Sequence, residues 1–307
     1  MPRILFVKTS SLGDVVHNCP AVSDAARAIP GAQIDWVVEE PFAQVAAMHS
    51  SVRRVITVAV RRWRSAVWSP AAWREMRQFR RALAAERYDV VIDTQSLLKS
   101  ALIAACAQGP RHGLDAASAR EPLAACFYGT RHAVPRELHA VERNRRLTAA
   151  ALGSAVPTSL EYGLRAPRGG DESSSAVFLT MTSRDDKLWP EESWIELGRG
   201  LGLNAVLPWG NEAERQRAER IAQALPGARV PSRMSVAELA TLFAGARVVV
   251  GVDTGLTHLA AALGARTVGL YCGSDPALTG IYGAPRALNL GAMGRAPRAA
   301  AVLKALS

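Results

Sequence analysis

Short continuous runs of aliphatic and β-branched residues recur along the chain, separated by longer stretches with apolar positions at helical spacing. The runs at 3–8, 34–38, 52–60 and 88–93 are too short for ordinary helices and read as buried parallel strands. Between them lie helical stretches, notably 70–86 and 97–107. Pro20 starts or kinks the helix after the first strand, and a helix at roughly 138–152 closes this half. Residues 153–174 are rich in Gly, Pro and Ser and mark a domain boundary. The pattern then restarts, with strands at 176–181, 204–207, 248–252 and 267–271. Helices are expected at 191–199 with Pro190 as the first helical residue, at 212–224, at 235–245 and at 296–306. Strands alternating with helices predict α/β architecture with sheets wound on both faces. The expectation is two doubly wound Rossmann-like domains, 1–165 and 175–307, facing a central cleft.

The chain has 307 residues and 49% apolar residues, enough for two ordinary cores. No apolar run approaches the ~20 residues a membrane-crossing helix needs. The first strand begins at once, so no secretory signal is expected. The net charge is +10, and its distribution is uneven. Residues 1–170 hold 23 Lys and Arg against 14 acids, whereas 171–307 hold 14 against 13. A basic half beside a neutral half implies that one domain meets a polyanion: nucleic acid, an anionic membrane surface or an acidic glycolipid. Cys19, Cys106, Cys126 and Cys272 are scattered without a CxxC pair and read as buried free thiols in a reducing compartment.

The chain is organised around Asp253-Thr254-Gly255-Leu256-Thr257-His258, a turn between the 248–252 strand and a helix closed by Gly264. Asp253 or Thr254 can cap that helix. The amides of Gly255, Leu256 and Thr257 are then donors for an anion at the carboxyl end of the sheet. A capped turn without ligand is the equal alternative. After the 176–181 strand, Thr182, Ser183 and Lys187 form a donor cluster suited to phosphate oxygens. Asp185 and Asp186 make local ion pairs with Arg184 and Lys187 more simply than they bind metal. Pro208-Trp209-Gly210 ends a strand. Glu214 then serves either the helix dipole or a ribose diol, and Met234 either core or an adenine slot. After the first strand, Ser10-Ser11-Leu12-Gly13-Asp14 has one glycine, so it is not a dinucleotide loop. Its Asp14 is either a helix cap or a general base. Arg61-Arg62-Trp63-Arg64 at a strand end, with Trp68 and Trp73, belongs to a stretch from Arg53 to Arg87 with ten arginines and two acids. Arginines interleaved with tryptophans suit phosphates at a membrane–water interface, although Arg74, Arg77, Arg80 and Arg81 also suit a solvated helix.

Together these motifs, with Asp35-Trp36-Val37-Val38-Glu39-Glu40, Ala119-Arg120-Glu121-Pro122-Leu123 and His139-Ala140-Val141-Glu142-Arg143, make the chain resemble the glycosyltransferase-B heptosyltransferases over nearly its whole length. The resemblance implies transfer of heptose from ADP-L-glycero-β-D-manno-heptose to the inner Kdo of Kdo₂-lipid A, with inversion. It implies Asp14 as base. Thr182, Ser183 and Lys187 would hold the donor phosphates, Glu214 the ribose and Met234 the adenine. Asp253 and His258 would hold the heptose, with the 254–257 turn on the diphosphate. Ser10, Gly13, Arg61, Arg62, Arg64, Lys99, Arg120 and Arg143 would meet the acidic acceptor. Ser183 stands where the family often has Thr, and the tail after Tyr282 matches poorly. No metal or other cofactor is expected, because Lys187 and the turn amides replace a cation. The expected place is the cytoplasm, peripheral on the inner face of the inner membrane. Two rivals remain: a related enzyme adding a later core heptose, and a basic nucleic-acid-binding module.

Overall fold

The computed structural model describes residues 1–66, 68–166 and 172–307. It divides into two compact units, Met1–Leu164 and Arg165–Ser307. Of the Gly/Pro/Ser-rich stretch read as a boundary, residues 167–171 lie outside the described residues.

Unit 1 contains β1 (Arg3–Val7), α1 (Leu12–Ala28), β2 (Gln33–Glu39), α2 (Ala43–Ala47), β3 (Val52–Val58), α3 (Val60–Ser65), α4 (Pro70–Ala84), β4 (Val90–Asp93), α5 (Leu98–Ala105), β5 (Arg111–Leu114), β6 (Thr130–His132) and α6 (Ala140–Leu152). Its six strands are parallel in the order β3-β2-β1-β4-β5-β6. Ile4 to Val7 are fully buried, as a central strand covered on both faces requires. Strand order reverses between β1 and β4. The loops that follow these two strands therefore flank the crevice where such sheets bind ligands. Ser10 and Asp14 follow β1, and Lys99 follows β4.

Unit 2 contains β7 (Glu172–Leu179), α7 (Glu191–Leu201), β8 (Asn204–Val206), α8 (Glu212–Gln223), α9 (Val236–Gly245), β9 (Ala246–Val252), α10 (Gly255–Ala262), β10 (Thr267–Tyr271), α11 (Pro276–Thr279), β11 (Ala287–Gly291) and α12 (Ala299–Leu306). The parallel sheet runs β11-β10-β9-β7-β8 and reverses between β7 and β9. The loops after those two strands carry Thr182 to Lys187 and Asp253 to His258. Trp189 and Trp194 meet edge to face at 5.0 Å in the core. α12 packs on α7, where a Cβ at Gly200 would meet Leu303 at 2.5 Å. The Trp189 indole donates to the Pro297 carbonyl at 2.7 Å, which ties down the approach to α12.

Several expectations need correction. The strand expected over 52–60 ends at Val58, and Arg61, Arg62 and Arg64 lie on helix α3. Pro20 does not start a helix but lies inside α1, and Pro190 is the N-cap of α7, not its first residue. β5, β6 and β11 went unread because they lack apolar runs: β5 is Arg-His-Gly-Leu and β6 is Thr-Arg-His. Of the cysteines, Cys19 and Cys272 are buried, but Cys106 is half-buried and Cys126 exposed; all four are free.

One buried imidazole makes the stability of unit 1 depend on pH. His49 is 2% exposed; its Nδ1 accepts from the Ser51 amide at 3.2 Å, so Nε2 carries the proton and donates to the Cys19 carbonyl at 3.1 Å. A second proton would face the Ser51 N–H. Burial lowers the His49 pKa to about 4. The unfolded chain protonates near 6.5 and the folded one does not, so stability is full above pH 6.5 and falls as pH drops towards 4. The expected loss is up to about 3 kcal/mol. Denaturant unfolding of wild type and His49→Gln from pH 7 to 4.5 checks this, since the variant should lose that part of the slope.

Candidate active site

In unit 1 the turn after β1 is gripped from β4. Gln95 Oε1 accepts from the Thr9 and Ser10 amides at 2.8 and 3.1 Å, and its NH₂ donates to the Ser10 carbonyl at 2.5 Å. Gln95 is held in turn by its own amide, which donates to the buried Asp93 carboxylate at 2.8 Å. Lys99 donates to Ser10 Oγ at 2.9 Å. Ser11 is the N-cap of α1, and Asp14, at the third helical position, accepts from the Ser11 amide at 2.8 Å and the Ser11 hydroxyl at 3.1 Å. Asp14 is thus a capping carboxylate, and its other oxygen remains to accept a further proton donor. Gly13 precedes it, half-buried, in the first turn.

Asp14 lines a cavity of about 80 Å³ together with Lys8, Gln95, Arg120, Arg143 and Asn144. Lys8 is buried at the end of β1 and donates to the Thr94 carbonyl at 2.9 Å. Burial lowers its pKa, against the pull of the Asp14 and Asp93 carboxylates. Burial also lowers Arg143, helped by the charges of Arg136 and Arg120. Lys8, Arg120 and Arg143 thus converge with Asp14 on one cavity, an arrangement that favours an anionic partner. Lys8, Gln95 and Asn144 were missed in the sequence. A lysine at the end of an apolar strand reads as the strand's solvent-facing terminus, and only the fold buries it.

The α3 arginines differ from one another. Arg62 is tied to Glu40 at 3.0 Å and Glu75 at 2.7 Å, and the Trp63 indole shares Glu75 at 2.8 Å. Arg61 is exposed, with its guanidinium 6.0 Å from the Phe42 ring centroid, and Arg64 is exposed too. Arg62 therefore holds α3 in place, whereas Arg61 and Arg64 face water.

In unit 2 the centre is Asp253, at the end of β9. Its carboxylate accepts from Lys187 Nζ at 2.6 Å and Ser274 Oγ at 2.5 Å, and pairs with His258 Nε2 at 3.2 Å. Burial pushes this carboxyl up, but the His258, Lys187 and Ser274 hydrogen bonds outweigh it and hold the pKa well below the usual carboxylate range. Thr182 Oγ donates to the Asp253 carbonyl at 3.0 Å, joining the loop after β7 to the one after β9. Lys187 thus pairs across the sheet and not with its neighbours. Among the local acids only Asp186 takes a neighbour, Arg184. Ser183 is exposed beside them.

Thr254 is the N-cap of α10 by position but makes no side-chain cap bond. Gly255 and Leu256 present the first two helical amides. The Thr257 amide is already used, donating to the Thr254 carbonyl at 3.0 Å, and its hydroxyl donates to Val252 at 2.8 Å. The expected three-amide cradle is therefore a two-amide one. Glu214 is at the third position of α8 and accepts from the Gly210 amide at 2.7 Å and Asn211 Nδ2 at 2.8 Å. Met234, half-buried, precedes α9, and the Trp209 indole donates to Pro231 at 2.7 Å, linking the two loops. Ser274 was missed; its signal was its place just past the 267–271 strand, which pairs beside β9. Among the described residues no group of three or more His, Cys, Asp or Glu is arranged to hold a metal ion.

Comparisons with known proteins place the chain in a family. Residues 76–301 match the model of glycosyltransferase family 9 (heptosyltransferase). The chain is 48% identical over 290 residues to lipopolysaccharide heptosyltransferase 1 of Escherichia coli K12, covering 92% of this chain and 91% of that one. It is 50% identical over 289 residues to the Pseudomonas aeruginosa protein of the same name, covering 92% and 81%. The solved structure of the E. coli heptosyltransferase WaaC with ADP superposes with a TM-score of 0.92 at 45% identity, covering 99% of this chain and 98% of that one. The E. coli heptosyltransferase II structure, at 21% identity and TM-score 0.81, shares the fold, which is of the glycosyltransferase-B type. With its two parallel-sheet units and its charged turns at the carboxyl ends of the switch-point strands, the chain belongs to glycosyltransferase family 9, the heptosyltransferases.

Proposed function

We propose that the protein transfers L-glycero-D-manno-heptose from ADP-heptose to the inner Kdo of Kdo₂-lipid A, with inversion at the anomeric carbon. The observation that carries this is similarity along 99% of the chain to a heptosyltransferase solved with ADP and with ADP-2-deoxy-2-fluoro heptose. In this reading Asp14 takes the proton from the Kdo hydroxyl as its oxygen attacks the sugar carbon. ADP departs from the opposite face. Lys187 spends one of its three N–H donors on Asp253 and offers the others to the diphosphate, together with the Gly255 and Leu256 amides. Thr182 and Ser183 add hydroxyls. Asp253 and His258 hold heptose hydroxyls, Glu214 the ribose, and Met234 the adenine. Lys187 and the amides do a cation's work, so turnover should survive EDTA; complete loss with rescue by Mg²⁺ or Mn²⁺ would contradict this. The enzyme acts at the inner face of the inner membrane, where its lipid acceptor is.

The acceptor is a polyanion, and Arg61 and Arg64 are solvent-facing cations on the basic unit that can bind phosphate or carboxylate in bidentate fashion. A charge-assisted hydrogen bond contributes about 1.5–3 kcal/mol, so Arg61→Ala or Arg64→Ala should lower acceptor kcat/KM by roughly 10–150-fold. Arg62→Ala should also loosen α3 and lower the melting temperature. Steady-state kinetics with each substrate varied in turn test the assignment. A rise in donor KM with acceptor kinetics unchanged would overturn it.

A further inference from the structure

Among the described residues of unit 1, the exposed large apolar side chains apart from Met1 are Trp68, Trp73, Leu98, Leu102 and Leu123. Four of them stand on neighbouring pieces: α4, α5, and the 3-10 segment Pro122–Phe127 that packs on α5. α5 buries Ser100, Ala101, Ile103 and Ala104, so Leu98, Leu102 and Ala105, spaced four and three residues apart, form one outward stripe. α4 buries Ala72, Phe79 and Leu83, and Trp73, Arg77, Arg80 and Ala84 form its outward stripe at the same spacing. An open groove of about 380 Å³, lined by Arg77, Arg80, Arg81, Ala84, Ala105 and Cys106, joins the two stripes. Leu102 is 49% exposed, Trp73 53% and Leu123 69%. Arg77, Arg80 and Arg81 make no ion pair among the described residues. The acid of α4, Glu75, is taken by Arg62 and Trp63.

Single exposed apolar residues are ordinary, and so is a solvated arginine. A leucine stripe joined by one groove to an arginine cluster without acids is the composition of a surface that meets lipid headgroups. Its apolar groups sit at the acyl boundary and its cations on the phosphates. We propose that the outward face of α4 and α5 docks on a bilayer rich in anionic lipid. Leu102 and Leu123 enter the interface, Trp73 lies at headgroup level, and Arg77, Arg80 and Arg81 meet the phosphates. The face begins beside the candidate acceptor site, because Leu98 adjoins Lys99, whose ammonium touches Ser10. The choice of a lipid surface over a second copy of the chain also rests on the reading above that the acceptor is a lipid.

The test is cosedimentation of the full chain with phosphatidylglycerol/phosphatidylethanolamine vesicles and with phosphatidylcholine vesicles, at about 0.1 M salt. Wild type should bind the first and not the second. Each arginine near an anionic surface multiplies partitioning roughly fivefold, so Arg77→Ala/Arg80→Ala/Arg81→Ala should bind roughly 10²-fold more weakly, with steep dependence on salt. Leu102→Asp should lose roughly tenfold. Both variants should keep the wild-type melting temperature and wild-type turnover on a soluble, deacylated acceptor. Vesicle binding requires no turnover, so it stands or falls separately from the proposed reaction. Variants that bind like wild type, or a wild type that ignores anionic vesicles, overturn the proposal. A concentration-dependent dimer dissolved by the same substitutions also overturns it, by giving the face to a second copy.

Discussion

Asp14→Asn is expected to lower kcat by roughly 10²–10⁴-fold while ADP-heptose KM stays within a few-fold of wild type. The expectation rests on position. Asp14 stands on the first turn of α1, next to the strand-order reversal of unit 1, in a cavity it shares with Lys8, Arg120 and Arg143. Its capping bonds to Ser11 fix the carboxylate without using all its acceptor capacity. Those same bonds offer a competing role, since loss of a capping carboxylate costs stability of about 1 kcal/mol. The asparagine variant separates the two roles, because its amide oxygen can still accept from the Ser11 amide but cannot take a proton. A near-normal rate in this variant would leave Asp14 as a cap alone.

Lys187→Ala is expected to lower kcat by roughly 10²–10³-fold and to raise the donor KM, as for loss of a preorganised donor to a leaving group. It should also change the acid side of the pH profile. Lys187 is one of three groups that hold Asp253 well below the usual carboxylate range. Without it the Asp253 pKa rises, so the variant should lose its residual activity at a higher pH than wild type does. A wild-type acid limb in the variant would mean that His258 and Ser274 alone keep Asp253 ionised.

The central strands were legible because burial on both faces leaves continuous apolar runs, as in β1 and β9. Two of the four edge strands, β6 (Thr130–His132) and β11 (Ala287–Gly291), were not, because an edge makes no such demand on its residues, whereas the edges β3 and β8 kept enough apolar residues to be read. The Asp253–His258 turn was legible as a strand-to-helix junction. Its chemistry was only half legible: that Lys187 crosses from the β7 loop to pair with Asp253, and that Ser274 joins from the β10 loop, follows from strand order, which local pattern does not fix. Asp14 was legible as a carboxylate with two roles, and the capping bonds now establish the structural one. Arg61, Arg62 and Arg64 read as one cluster, yet Glu40 and Glu75 single out Arg62 for a structural task. That division depends on which acids the fold brings near, 22 and 13 residues away along the chain.

Incubation of the purified protein with ADP-heptose and Kdo₂-lipid A, read by mass spectrometry and by the anomeric configuration of the product, tests the central claim most directly. The expected result is ADP release, a gain of one heptosyl unit on the inner Kdo, and an anomeric configuration opposite to the donor's. No transfer, retention of configuration, or transfer only to an acceptor that already carries heptose would contradict it.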